Sequence, residues 1–267
     1  MRWSAGLFLA LATVIGVLAF GWPLFTTPES GIAHASDAPL WFALLLPLLL
    51  GAVLAQLSAG SLDSKSVAML GVLSALGAVA RPLGAGTAGV ELVFLLIILG
   101  GRVFGATFGF VLGSTTLFAS ALLTGGVGPW LPFQMLASSW IGAGAGMLPR
   151  ARHRTELVIL SIYGVVSALA FGIIMNLSFW PFTIGLGTDL SFDATLGLSG
   201  NVRRFATFHA ATSLGWDIGR AITNVITLTL LGPGILVALR RVARRACFVR
   251  SDRDTNVDAE PGVQTPL

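Results

Sequence analysis

Along this chain of 267 residues, stretches of about 15 to 24 mostly apolar residues follow one another with little between them. Only helices and closed barrels satisfy their backbone hydrogen bonds inside lipid, and a barrel strand needs just 9–11 residues to cross. Stretches of this length therefore predict an all-α, polytopic membrane helix bundle. Eight segments are read: 4–25, 40–57, 66–83, 87–101, 104–123, 130–148, 156–179 and 216–239. At 1.5 Å rise per residue, about 20 residues cross a hydrocarbon core of about 30 Å. The fourth is the shortest. Its apolar heart, LVFLLIIL at 92–99, ends abruptly at Gly100-Gly101-Arg102. It reads as a short tilted span, the alternative being a re-entrant piece covered by protein.

Composition narrows the function. Charged residues are 10% of the chain, against about 25% in soluble domains, which excludes a soluble enzyme. The sole lysine, Lys65, follows Ser64 and belongs to no Walker A loop, so the chain does not hydrolyse ATP by that route. The sole cysteine is Cys247, and His34, His153 and His209 fall on separate loops, so neither a disulfide framework nor a metal site is expected. Gly197-Leu198-Ser199-Gly200 matches the GxSG string of intramembrane serine proteases, with His209 following. It falls in an expected loop rather than a buried helix, so no catalytic residue is assigned.

Placing both termini in the cytoplasm puts twelve of the sixteen Lys and Arg residues inside, from Arg2 and Lys65 to the Arg240–Arg253 cluster. Arg81, Arg203 and Arg204 fall outside, and Arg220 lies within the last span. That asymmetry obeys the positive-inside rule. The inner arginines face anionic lipid, so no nucleic-acid partner is expected. Arg2, an apolar run and Ala33-His34-Ala35 have the form of a signal peptide, but the run is long and Trp22-Pro23 ends it well before that site. A retained first span is the reading. Residues 250–267 are polar, mixed in charge and read as a disordered tail. The outer stretch 178–214 is rich in aromatic residues and is expected to fold over the helix ends as a loop-built cap, the alternative being an aromatic belt at the membrane surface.

Small residues recur every four positions: Gly105, Gly109 and Gly113; Gly142 and Gly146; Gly215 and Gly219; Gly71 and Ala75; Ser74 and Ala78; Ala55 and Ala59. Each set shares a helix face where backbones can approach closely, inside the bundle or against another membrane protein. Gly71, Ser74, Ala75 and Ala78, in a segment free of aromatic residues, form the preferred docking face. Among ionisable groups at membrane depth, Asp217 and Arg220 stand at i and i+3, with Asn224 one turn on, either as an internal ion pair or as a polar anchor for a ligand. Arg81 and Glu91 bracket an outer loop and are expected to pair. Gln134, Asn176 and Trp140 lie near outer helix ends.

From Glu91 to Pro149, the glycine-rich segment ending Leu123-Thr124-Gly125-Gly126, followed by Gly128-Pro129-Trp130-Leu131-Pro132-Phe133-Gln134, resembles the substrate-specific S components of energy-coupling-factor vitamin transporters. The last span, with Trp216-Asp217-Ile218-Gly219-Arg220 and Asn224, adds to the likeness. The resemblance covers residues 66–246 and implies a six-helix substrate-binding core (66–249); the two N-terminal helices read at 1–65 depart from the family's pattern. It implies capture of a vitamin outside, without a cofactor, and delivery through a transmembrane coupling subunit and two cytoplasmic ATPases in the plasma membrane. The cobalamin type looks most similar. The family's docking helix is the first core helix, whose strict Ala-x-x-x-Ala face is absent here; Gly71, Ser74, Ala75 and Ala78 are the nearest equivalents. Candidate ligand residues are Trp130, Phe133, Trp140, Trp180 and Trp216, which would stack on a planar ring, with Gln134, Asn176, Asp217, Arg220 and Asn224 orienting it. A non-transporting membrane anchor is the competing class; a vitamin-binding subunit must hold a small molecule by itself, and an anchor need not.

Overall fold

A computed structural model of the chain describes residues 2–21, 38–58, 64–84, 87–183 and 188–255. The site Ala33-His34-Ala35, Ala59 and the end of the tail from Asn256 lie outside the described residues. Among those described there are ten α-helices and no strand: α1 (Arg2–Gly21), α2 (Ala38–Ser58), α3 (Ser64–Leu83), α4 (Val93–Phe104), α5 (Ala106–Thr124), α6 (Leu131–Met147), α7 (His153–Thr183), α8 (Gly197–Thr212), α9 (Leu214–Leu230) and α10 (Gly232–Thr255).

Each expected segment meets a helix, but not eight full spans. Ser64–Leu83, Ala106–Thr124 and Arg154–Trp180 are each long and apolar enough to cross alone. The fourth segment is the 12-residue α4, about 18 Å long at 1.5 Å per residue. Gly105, at φ 95°, stops it, a conformation that glycine adopts without steric cost. The last segment is not one straight helix but two, bent by 63° between Leu230 and Gly232. Pro233, inside Gly232-Pro233-Gly234, lacks the N–H and carries a ring that a straight helix cannot accept. Two further differences concern the ends. The 178–214 stretch is not a plain loop, because α7 continues to Thr183 and α8 lies within it; the GxSG string opens that helix, with Ser199 exposed. The helical backbone of α10 runs to Thr255, into the stretch expected to be disordered.

Lipid offers apolar helices no reason to associate, so the bundle depends on how closely backbones fit. At the centre, α5 crosses α6 with glycine facing glycine. A Cβ on Gly109 would overlap the Gly142 carbonyl, a Cβ on Gly142 would overlap that of Gly109, and Gly101 of α4 meets the same Gly142 oxygen. These small residues thus serve internal packing. Around them pack Phe94, Ile97, Phe108, Val111, Leu112, Met135 and Leu136, all fully or almost fully buried. The outward residues Leu76, Val79, Ile162, Val166, Ile222 and Ile226 are exposed aliphatics suited to lipid contact.

The N-terminal helices pack onto this core. Phe20 of α1 meets Phe133 of α6 edge-on at 5.0 Å and Trp140 at 5.5 Å, and the Trp140 indole N–H donates to Thr13 Oγ1 at 3.3 Å. At one end of the bundle, Glu156 at the start of α7 is 3% exposed and accepts from Arg102 Nε (2.8 Å) and from Arg240 Nη2. Arg102 also donates to the Leu148 carbonyl at 2.8 Å. One carboxylate thereby fastens α4, the α6–α7 junction and α10, offsetting the cost of its own burial with two cations.

Gly109→Ala should lower stability by about 1–3 kcal/mol, because neither backbone can move away cheaply. Gly71→Ala, where nothing lies within 4 Å of the added methyl, should leave it unchanged. Thermal unfolding of both variants in detergent tests this; equal midpoints would show that the glycine crossing does not hold the bundle.

Candidate binding site

The end of the bundle opposite the Glu156 cluster is organised by α9. Its Asp217 and Arg220 are 1% and 7% exposed, and the expected i, i+3 pair forms, Arg220 Nη1 donating to Asp217 Oδ1 at 2.7 Å. Room for that carboxylate exists because position 172 of α7 is glycine; a Cβ there would overlap it. Arg220 reaches two further elements. Nη2 donates to Glu91 Oε1 at 3.0 Å and Nη1 to the Ala168 carbonyl at 3.3 Å. Its guanidinium also lies over Phe171 (5.0 Å) and Phe94 (5.9 Å), where ring quadrupoles favour a cation.

Glu91 reaches Arg220 because the 87–91 turn lies directly on α9. A Cβ on Gly89, at φ 84°, would overlap the Trp216 carbonyl, and one on Gly219 would overlap that of Ala88. Sequence reasoning paired Glu91 with Arg81. The structure gives Glu91 to Arg220, while Arg81 Nη2 donates to Gln134 Oε1 at 2.9 Å.

Asp217 also ties in the cap. Its Oδ2 lies 3.3 Å from His209 Nε2 of α8, and His209 Nδ1 is 2.9 Å from Asn176 Nδ2 of α7. His209 thus stands between the Asp217 carboxylate and the Asn176 amide, joining α8 to α9 and α7. The cap has its own small core: Trp180 is fully buried against Phe192 and Phe205, and its indole N–H donates to the Leu190 carbonyl at 2.8 Å. Asp193 accepts from the Thr195 hydroxyl (2.6 Å) and the Thr195 amide (2.9 Å), bonds that hold its carboxyl below the usual aspartate range.

Beside this network lies a cavity of about 340 Å³ lined by α3, α4, α5, α6 and α7, within the size range of small-molecule sites. Arg81, Glu91, Ser120, Thr124 and Gln134 supply its polar groups; Phe94, Leu117 and Phe171 are among its apolar ones. Of the ten ligand residues expected from the sequence, Gln134 alone is in this lining. Phe133 and Trp140 face α1, Trp180 is the cap's core, and Trp130 and Trp216 are 51% and 45% exposed. Asn224 Nδ2 donates to the Gly164 carbonyl at 2.9 Å, a tie from α9 to α7. Asp217, Arg220 and Asn176 stand behind the wall rather than in it. Arg81 and Glu91 were visible as rare charges near helix ends. Phe94, Ser120 and Phe171 were not, since each sits in an apolar run with nothing to mark which way it points.

The docking candidates divide by helix face. Gly71 and Ala75 are on the exposed side of α3 with Ala68, Val72 and Val79. Ser74 and Ala78 are buried, and Ser74 Oγ is 2.7 Å from Thr115 Oγ1 of α5.

Arg220→Gln leaves Asp217 buried without its cation and Glu91 without its partner, and breaking such a buried pair costs on the order of 3–5 kcal/mol. A marked fall in the unfolding midpoint in detergent is expected, and an unchanged midpoint would rule out this structural role.

A family model described as the ECF transporter, substrate-specific component, matches residues 65–239, about two thirds of the chain. No curated protein and no solved structure matches it.

Proposed function

Because this chain belongs to the family of substrate-specific components of ECF transporters, and is therefore a membrane transporter subunit rather than an enzyme, we propose that it captures a vitamin or related micronutrient from outside in the Arg81–Gln134 cavity. The observation that carries this reading is that every residue lining the cavity falls within the matched stretch 65–239. A volume of about 340 Å³ favours a vitamin of one or two rings. Cobalamin, the type suggested by the sequence, has a corrin ring and an appended base far larger than this space. The α8 cap stands beside the cavity, tied through His209 and Asp217 to the Arg220 that holds Glu91.

Delivery follows the family's scheme: the loaded protein docks on a transmembrane coupling subunit driven by two cytoplasmic ATPases, with both termini of this chain inside the plasma membrane. The free face of α3, centred on Ala68, Gly71 and Ala75, suits this contact. It has small residues for close backbone approach, and among the described residues no other helix covers it.

The reading is tested by extracting the purified full-length protein and identifying any retained small molecule by mass spectrometry. A retained vitamin-like compound that raises the melting midpoint when added back, as mass action requires of a native-state ligand, supports it; a chain that retains and binds nothing overturns it. Ala75→Leu adds bulk to the exposed face and should abolish co-purification with the coupling subunit while ligand retention persists. Ala78→Leu, pushed into α5, should instead lower the melting midpoint. If Ala75→Leu still co-purifies, the docking face lies elsewhere.

A further inference from the structure

We infer that the ligand of this cavity is a small acid, a molecule of one or two rings whose carboxylate is held by Arg81, Gln134 and Ser120 and whose apolar body lies against Phe94, Leu117 and Phe171. This rests on the cavity being the ligand site, as proposed above, and adds the chemical class of what enters it.

The argument is an inventory of charge and donors. Two arginines and two carboxylates stand at this end of the bundle, so their formal charges balance, but their geometry does not. Both carboxylates turn to the same cation: Arg220 takes Asp217 Oδ1 at 2.7 Å and Glu91 Oε1 at 3.0 Å. Arg81 receives a neutral partner, the Gln134 carbonyl oxygen at 2.9 Å, and among the described residues no carboxylate lies within ion-pair reach of it. Glu91 lines the same cavity and would by itself argue for a cationic ligand. Glu91, however, points its carboxylate at Arg220, which it shares with Asp217, and acts on Arg81 only at longer range. The cation facing the space without a carboxylate within ion-pair distance is the half-buried Arg81 guanidinium, at the end of α3.

The neighbouring groups are donors as well. With its oxygen engaged by Arg81, Gln134 has its NH₂ left to offer. Ser120 is 0% exposed and lines the cavity, and its hydroxyl has no hydrogen-bond partner, a state shared by six hydroxyls outside this lining, Ser114, Thr116, Ser138, Ser139, Ser161 and Ser167. A buried hydroxyl with nothing to bond is expensive unless something in the cavity completes it. Thr124 spends its proton on the Ser120 carbonyl at 2.8 Å. Guanidinium, amide and hydroxyl together form a donor wall, and a carboxylate, with two oxygens and about four acceptor sites, can satisfy all three. An amide would bring its own donors to that wall, and an ammonium would face Arg81. Phe94, Leu117 and Phe171 offer only apolar surface, which accounts for the remainder of the ligand.

The test uses the full chain in detergent and matched pairs of small molecules that differ only in the acid: nicotinate and nicotinamide, biotin and biotinamide, indole-3-acetate and indole-3-acetamide, with thiamin as a cation. An acid is expected to raise the melting midpoint while its amide does not. Gln134→Glu supplies a carboxylate to Arg81 from within, so it should weaken binding of that acid by about 10-fold or more without lowering the midpoint of the empty protein. Ser120→Ala, which removes one hydroxyl and no charge, should weaken it by less. An amide or thiamin stabilising as well as the acids overturns the small-acid inference and leaves the cavity as the binding site. Unchanged acid binding in Gln134→Glu overturns the assignment to Arg81. Stabilisation by none of these probes also overturns the inference; if a non-acid molecule is then found in the extract, the proposed function survives, and if the extract holds nothing, both fall.

Discussion

A guanidinium is costly to leave alone at membrane depth, and the Arg220 end of this bundle is arranged around that constraint. Arg220 on α9 gathers a carboxylate from its own helix, another from the 87–91 turn, a carbonyl from α7 and two aromatic faces. Each partner comes from an element that must be held still for a cavity to exist: the turn carries Glu91, α4 carries Phe94 and α7 carries Phe171. The cation therefore acts less as a ligand group than as the fastener for the cavity's walls. Through Asp217 the same network extends to His209 and so to the cap.

A similar device, turned inside out, closes the other end. There one buried carboxylate, Glu156, collects two arginines from α4 and α10. Between the two charged ends a few interhelix hydrogen bonds, among them Asn224 to the Gly164 carbonyl and Tyr163 to the Ile141 carbonyl, join backbone contact across Gly101, Gly109 and Gly142. This division suits a protein surrounded by lipid. Apolar burial cannot select one helix arrangement there, whereas paired charges and glycine crossings can.

Much of the architecture was legible in the sequence because apolar run length is a direct signal for membrane helices. The Asp217–Arg220 pair followed from spacing, and membership of the family from the ordered motifs between Glu91 and Arg220. Other features were hidden for definite reasons. The break in the last segment depends on Pro233 between two glycines, residues common enough in membrane helices not to announce a 63° turn. The aromatic residues named as ligand-stacking groups were chosen for chemistry without orientation. Trp140 and Phe133 face α1, an element outside the matched stretch, and nothing in α6 itself reveals that a further helix lies against it. The cavity is the hardest part to read, since it is assembled from five helices whose relative rotation no local pattern encodes.

The bend between α9 and α10 has a mechanical consequence. A straight helix through the membrane is a lever, delivering any tilt at one end to the other undiminished. Here the lever is cut into two arms at Gly232-Pro233-Gly234, with Arg220 clamped on one arm and Arg240 riveted to Glu156 on the other. A small tilt of α9 is absorbed at that joint instead of prying the Glu156 rivet loose. Movement at one charged end then reaches the other sideways, through α4 and α7, which pack against α9, rather than down the axis of the last helix.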